Sequence, residues 1–243
     1  MDRYKRQIQL KEIGEKGQQR LLNARVLVIG AGGLGSTALL YLAGAGVGFI
    51  GIADSDTVSL DNLHRQIIHS SADIGMPKVI SARDSLTRLN PDIQIKTFNS
   101  YVDKRNAEIL LNDYDFILDA SDNFKTKFLI NDTCVKLGKP FSHAGIRETQ
   151  GQLFTYIPGS VCYRCIFGGM PDKSMVVSPA QLGILGPVPG IIGILQAVEA
   201  VKWITRSEDL LINRMLKADL MAMRFVEITT KKDPNCLCAI NQA

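Results

Sequence analysis

Residues 26–35 read VLVIGAGGLG, an apolar run that enters Gly30, Gly32, Gly33 and Gly35. A buried strand ending in closely spaced glycines and passing into a helix lets the backbone approach a phosphate and turns helix N–H groups toward it. NAD and ATP can both rest on such a turn. The stretch therefore decides for a nucleotide-binding α/β fold and leaves the nucleotide open.

Outward from the loop, apolar strands alternate with helical spacing. Val26–Gly30 reads as a strand and Gly33–Gly44 as a small-residue helix behind it. Phe49–Asp54 is a second strand, and residues 77–90 a helix with Pro77 at its first position. Ile93–Phe98 is a strand, 103–112 a short helix and 114–120 another buried strand; 123–138 is a helix closed by Gly138, followed by a strand near 140–145. This order predicts a Rossmann-like, doubly wound, mostly parallel sheet. Residues 150–158 read as a further strand, 166–182 as a mobile loop without period, 191–205 as a helix, and LLINRMLKADL and MRFVEIT as an antiparallel pair extending the sheet. A single unit over 1–243 is expected, with a nucleotide-binding core at about 20–145 and a carrier-binding and zinc region at about 146–243.

Composition bounds the function. The 243 residues are 46% hydrophobic and 21% charged, ordinary for a globular chain, and the net charge of +4 argues for neither a nucleic-acid nor a membrane partner. The N-terminus MDRYKRQIQL lacks the apolar core of a signal peptide. The greasiest stretch, 182–204, is interrupted by Pro187 and Pro189 and carries Gln196, Glu199 and Lys202, which argues against a membrane span. Five cysteines with two tight pairs suit metal binding in a reducing cytoplasm better than a disulfide framework.

Asp54 lies where a dinucleotide fold places the acid that holds the ribose hydroxyls, although a strand-end cap would look the same. Up to this residue an NAD-dependent oxidoreductase is the default reading. The next segment, DSDTVSLDNLHRQIIHSSADIGMPKV, instead supplies Asn62, Arg65, Gln66 and Lys78. Arginine grips phosphate oxygens bidentately and lysine adds a compact charge, groups suited to a triphosphate. The strand ILDASDNF ends in Asp119 and Asp122 at the carboxyl edge of the sheet, where a carboxylate can hold Mg²⁺ against phosphates; Asp122 can equally cap the following helix.

Taken in order, RYKRQ (3–7), GAGGLG, DSDTVSLDNLHRQ, GMPKV, DASDN, CYRC and GPVPGIIGILQAVEAVK resemble the ThiF/MoeB/HesA family of adenylating enzymes across essentially the whole chain. The resemblance implies that Mg–ATP is used to adenylate the C-terminal glycine of a ubiquitin-like sulfur-carrier protein ending in Gly-Gly, with release of pyrophosphate. It implies that the glycine turn approaches the phosphates, Asp54 the ribose, and Asn62, Arg65 and Lys78 the phosphates. Asp56 and Gln66 complete the nucleotide pocket, Asp122 binds Mg²⁺ and Asn123 lies beside the nucleotide. Arg6 matches an arginine that family members insert into the partner subunit's site, so a homodimer is implied. A tRNA-modifying dehydratase of the same superfamily is the nearest alternative; CYRC and GPVPGIIG favour the protein-carrier branch.

Cys162, Cys165, Cys236 and Cys238 can hold a structural Zn²⁺, while the isolated Cys134 reads as a core residue. Two features depart from the family pattern. The second cysteine pair is separated by Leu237 alone, where similar proteins have two residues. Many relatives also carry a transfer cysteine eight residues before the proline of the GP segment, and here that position is Pro179. The chain is therefore expected to stop at adenylation. His64, His69 and His143 form no ligand cluster in sequence; His64 lies in the phosphate-gripping segment.

Overall fold

The computed structural model describes residues 1–172 and 183–240. One eight-stranded sheet organises them, in the order β3-β2-β1-β4-β5-β6-β7-β8. Its strands are β1 (Arg25–Ile29), β2 (Phe49–Ala53), β3 (Gln94–Phe98), β4 (Phe116–Asp119), β5 (Phe141–Arg147), β6 (Gln150–Tyr156), β7 (Arg214–Asp219) and β8 (Arg224–Thr229). The first five run parallel and the last three antiparallel, as the sequence pattern predicts.

The helices of the N-terminal half are α1 (Lys5–Ile8), α2 (Gly14–Asn23), α3 (Gly33–Ala45), α4 (Lys78–Leu89), α5 (Ala107–Asn112) and α6 (Phe124–Leu137). The later ones are α7 (Tyr163–Phe167), α8 (Pro187–Thr205) and α9 (Leu237–Ile240). Helices α1 and α2 are not legible as periodic segments. The expected helix at 103–112 begins only at Ala107, because Asp103 and Asn106 form a turn in which Asn106 Oδ1 accepts from the Asp103 amide. Helix α4 starts at Lys78, one residue after Pro77. Helix α8 starts four residues earlier than the apolar period suggests, with Pro187 and Pro189 in its first turn, where a missing amide hydrogen costs nothing. The loop read at 166–182 begins inside α7, and its larger part, 173–182, lies outside the described residues.

Strand β1 is central and buried on both faces, with Val26, Leu27 and Val28 inaccessible to solvent, which is why it reads as an unbroken apolar run. Ile29 lies beside Ala53 of β2 on one side and Asp119 of β4 on the other. The next residues on all three strands, Gly30, Asp54 and Ala120, therefore emerge together at one edge of the sheet. The strand order reverses between β1 and β4, and such a switch point opens a crevice at the carboxyl ends of the strands.

Helices α3 and α8 cross at close range over this edge. A Cβ on Gly193 would come within 2.1 Å of the Leu34 carbonyl oxygen, and Thr37 Oγ1 donates to the Gly190 carbonyl at 2.7 Å. Among the described residues α8 is the one helix long and apolar enough to span a membrane, and over half of it is buried inside the protein. Its polar residues are used internally. Gln196 donates to the Asp119 and Ser142 carbonyls, and Glu199 accepts from Thr155 Oγ1 and the Leu211 amide.

Candidate nucleotide and metal sites

The glycine turn is shaped by contacts that forbid side chains. Gly30 has φ of +104°, and a Cβ there would meet the Ala120 carbonyl at 2.5 Å; a Cβ on Gly35 would lie 1.9 Å from the Gly30 carbonyl. Gly32 precedes the first turn of α3, and a Cβ at this position would lie 3.6 Å from Gln66 Nε2. Gly33 packs under Pro189 of α8 and faces the Arg65 carbonyl. The turn thus presents open amides at the start of α3 while two segments distant in sequence wall it.

Asp54 leaves β2 and turns back to the glycine turn. Its Oδ2 accepts from the Ala31 amide at 2.7 Å and its Oδ1 from the Asp56 amide at 2.8 Å. Burial raises its carboxyl above the usual 3.8, against the pull of those two amides and of the Lys78 charge. Lys78, in the first turn of α4, is buried and pairs with the half-exposed Asp56 at 2.9 Å. Asn62 Oδ1 accepts from Arg65 Nη2 and from Gln66 Nε2, both at 2.8 Å, and the Asn62 amide donates to Ser59 Oγ. Arg65 Nη1 donates to His64 Nε2, so His64 is engaged by the arginine itself. Gln66 is buried with an unpartnered Oε1. These residues form two hydrogen-bonded groups that meet at the glycine turn: Asp54, Asp56 and Lys78 reach it through the Ala31 amide, and Asn62, Arg65 and Gln66 wall it beside Gly32 and Gly33.

The β4–α6 turn corrects one alternative. Asn123, not Asp122, caps α6: Asn123 Oδ1 accepts from the Thr126 amide at 2.9 Å. Asp122 is left exposed and uncommitted to the helix, and among the described residues its carboxylate accepts only from the Asn123 side-chain amide, at 3.3 Å. Asp119, the other acid of the motif, is enclosed. Lys127 Nζ lies 3.2 Å from its Oδ2, His143 Nδ1 2.9 Å from the same oxygen, and Ser121 Oγ and amide N donate to Oδ1. Burial opposes its charge, but Lys127, His143 and Ser121 hold the carboxyl down at about 2. Burial, then Lys127, pushes the His143 ring down to about 4, so at neutral pH it is an uncharged donor to Asp119. Sequence reading missed this cluster, because Lys127 and His143 stand apart from any motif; the spacing of Asp119 and Lys127 across a helix start was the available signal.

Arg6 is exposed and makes no hydrogen bond or ion pair with a described residue. Its helix is held at the far end of α3, where Gln7 Nε2 donates to the Ala45 carbonyl at 3.1 Å. Helix α3 spans 13 residues, roughly 20 Å, so within one chain Arg6 is far from the glycine turn.

Four cysteines converge despite the shortened second pair. The Sγ atoms of Cys162, Cys165, Cys236 and Cys238 all lie within 4.8 Å of one another, with Cys162 to Cys236 and Cys165 to Cys238 at 3.4 Å. Sulfurs around a tetrahedral zinc stand about 3.8 Å apart, so the group fits such an ion. The Asp233 amide donates to Cys165 Sγ at 3.4 Å, the kind of support thiolates receive at metal centres. Arg164 holds Asp132 of α6 bidentately at 2.6 and 2.7 Å, and the Tyr163 amide donates to Asn131, so the CYRC knuckle is latched to α6. Cys134 is fully buried within α6 and apart from the four.

A switch-point crevice, a glycine turn and a ring of cations and amides define a nucleotide-binding α/β protein. The chain belongs to the ThiF family, which it matches over residues 4–238. It is 42% identical over 236 residues to the SAMP-activating enzyme E1 of Haloferax volcanii, covering 97% of this chain and 87% of that one. It is 38% identical over 242 residues to the sulfur carrier protein adenylyltransferase of Thermus thermophilus, covering 97% and 89%. It also matches the adenylyltransferase and sulfurtransferase MOCS3 of Anopheles gambiae at 45% identity, covering 98% of this chain and only 54% of that one. Among solved structures, E. coli MccB with MccA-N7isoASN superposes with a TM-score of 0.86 at 24% identity, over 98% of this chain and 74% of that one, which bears on the fold alone.

Proposed function

We propose that this chain is an ATP-dependent adenylyltransferase that activates the C-terminal glycine carboxylate of a ubiquitin-like sulfur-carrier protein. The observation that carries the reading is the convergence on the glycine turn of two hydrogen-bonded groups, Asp54 with Asp56 and Lys78, and Asn62 with Arg65 and Gln66. Family membership and relatives named for carrier activation support it.

In the proposed reaction a carrier carboxylate oxygen attacks the α-phosphorus of ATP. The bond from that phosphorus to the bridging oxygen breaks, pyrophosphate leaves, and an acyl adenylate forms. No protein nucleophile is required. Two anions must be aligned and their repulsion offset, so positioning and electrostatics supply the rate. Gly30, Gly32, Gly33 and Gly35 keep backbone amides accessible to phosphate, Asp54 keeps lone pairs for the ribose hydroxyls, and Asn62, Arg65 and Lys78 balance phosphate charge. Gln66 offers its unpartnered Oε1, and Asn123 stands at the crevice rim. Asp122, exposed beside the crevice, is the carboxylate that would hold Mg²⁺, whose charge would offset that of the leaving pyrophosphate.

The distance of Arg6 from its own glycine turn supports a homodimer in which each protomer lends Arg6 to its partner. The four thiols would hold a structural Zn²⁺ that ties the C-terminal tail to α6. With no cysteine at position 179, sulfur is delivered by another protein. The test is ATP–pyrophosphate exchange by the purified chain with each small Gly-Gly-ending protein of its source organism. Exchange with one or more supports the reading, and exchange with none overturns it.

A further inference from the structure

Ala31, inside the glycine turn, is held by both of its backbone polar groups. Its N–H donates to Asp54 Oδ2 at 2.7 Å, and its C=O lies 3.0 Å from Nε2 of His69. A carbonyl can only accept, so the proton of the neutral ring sits on Nε2. Nδ1 is then an acceptor, and Ser81 Oγ lies 2.8 Å from it, in position to donate. His69 and Ser81 are both buried, and burial holds the ring below the usual histidine value of 6.5 even with the Asp73 and Asp54 carboxylates nearby.

Ser81 is one helical turn beyond Lys78 on α4, and residues three apart share a helix face. His69 therefore bridges the turn that would receive the phosphates and the helix that carries the phosphate-binding lysine.

We infer that His69 is a positioning residue for the nucleotide: it fixes the Ala31 carbonyl, and with it the open amides of the turn, at a set distance from Lys78. This rests on the reading that ATP occupies the glycine turn. His69 touches neither phosphate nor carboxylate in this role and exchanges no proton. Asp54 fixes the peptide that precedes the Ala31 Cα and His69 the one that follows it, so the turn is already shaped before ligand arrives, and binding need not supply that order.

Two amide substitutions separate the halves of the bridge. His69→Gln places an amide N–H near the position of Nε2 and keeps a donor for the Ala31 carbonyl. His69→Asn places its amide near Nδ1, keeping a partner for Ser81 and losing the bond to Ala31. The experiment is calorimetric binding of MgATP alone to the full chain, with no carrier present, alongside a melting curve for each variant.

We expect His69→Gln to bind MgATP within about threefold of wild type and His69→Asn to bind about tenfold more weakly, the worth of one well-placed hydrogen bond. A purely structural role would lower the melting temperature of both and move their affinities together. Equal affinities for the two variants, or wild-type affinity in His69→Asn, overturn the inference. If His69→Asn does not fold, Ser81→Ala decides. Freeing the ring to change tautomer should weaken MgATP binding about threefold, and an unchanged affinity overturns the inference. Failure of the wild-type chain to bind MgATP overturns the adenylating reading itself, a result distinct from any difference among variants.

Discussion

Lys127 Nζ and Asp119 Oδ2 stand 3.2 Å apart, both buried, directly beneath the turn that carries Asp122. The ammonium also donates to the Ala144 carbonyl at 2.7 Å, so it joins β4, α6 and β5. Removing one member of a buried pair strands the other charge away from water. Lys127→Met should therefore destabilise the chain by about 3–5 kcal/mol, read by chemical denaturation. A loss below about 1 kcal/mol, the range of exposed pairs, would show that the charge is not isolated from water.

The same cluster sets an acid limit. His143 has a folded value of about 4 against 6.5, so the unfolded chain takes up its proton first as pH falls. Its contribution to stability is complete above 6.5 and is lost as pH drops toward 4. Asp119, held at about 2 against 3.8, loses its contribution later, between 3.8 and 2. His143→Asn keeps a donor toward Asp119 without a titrating ring, so its unfolding free energy should vary less with pH between 6.5 and 4. A slope equal to that of wild type would assign the acid sensitivity elsewhere.

Asp122 and Asn123 are neighbours with separable work. Asn123→Ala removes the α6 cap and should cost about 1 kcal/mol. Asp122→Ala removes an exposed carboxylate with no part in the cap, so it should melt like wild type while losing ATP–pyrophosphate exchange. Wild-type exchange in that variant would remove Asp122 as the Mg²⁺ ligand.

Two helical glycines give opposite packing outcomes. A Cβ on Gly193 would sit 2.1 Å from the Leu34 carbonyl, whereas one on Gly44 meets nothing within 4 Å. Gly44→Ala should stabilise by about 0.5–1 kcal/mol through lower unfolded-state entropy. Gly193→Ala must push α8 off α3 and should cost at least about 1–3 kcal/mol. Thermal melts of the two variants side by side check the contrast.

The four thiols predict a metal content that follows individual cysteines. Protein purified without added zinc should contain one zinc per chain, Cys134→Ala should keep it, and Cys238→Ser should lose most of it. Chelation of the wild type should lower its melting temperature, since metal binding that requires folded ligands is linked to folding. Zinc absent from the wild type by elemental analysis would leave the cluster as free thiols.

By itself the sequence determined the alternation of strand and helix, the parallel-then-antiparallel sheet and the ring of candidate nucleotide ligands. The physical reason is largely local: β1 is apolar throughout because it is buried on both faces, Gly30 is required by its φ of +104°, and Gly35 by the Gly30 carbonyl that the turn brings against it. Gly138 closes α6 in the left-handed conformation that the sequence signals. Only the tertiary structure decided which polar residues share a partner. Asp119 and Asp122 read alike, yet one is locked to Lys127 and His143, which lie 8 and 24 positions away, and the other faces solvent. His69 stands 38 positions from Ala31, and no motif spacing announces their contact. The CxC pair departs from the two-residue spacing of similar proteins, yet its sulfurs meet those of the CYRC pair, because a metal site depends on where Sγ atoms lie in space. Periodicity encodes which side of an element is buried; it does not encode which distant group waits there.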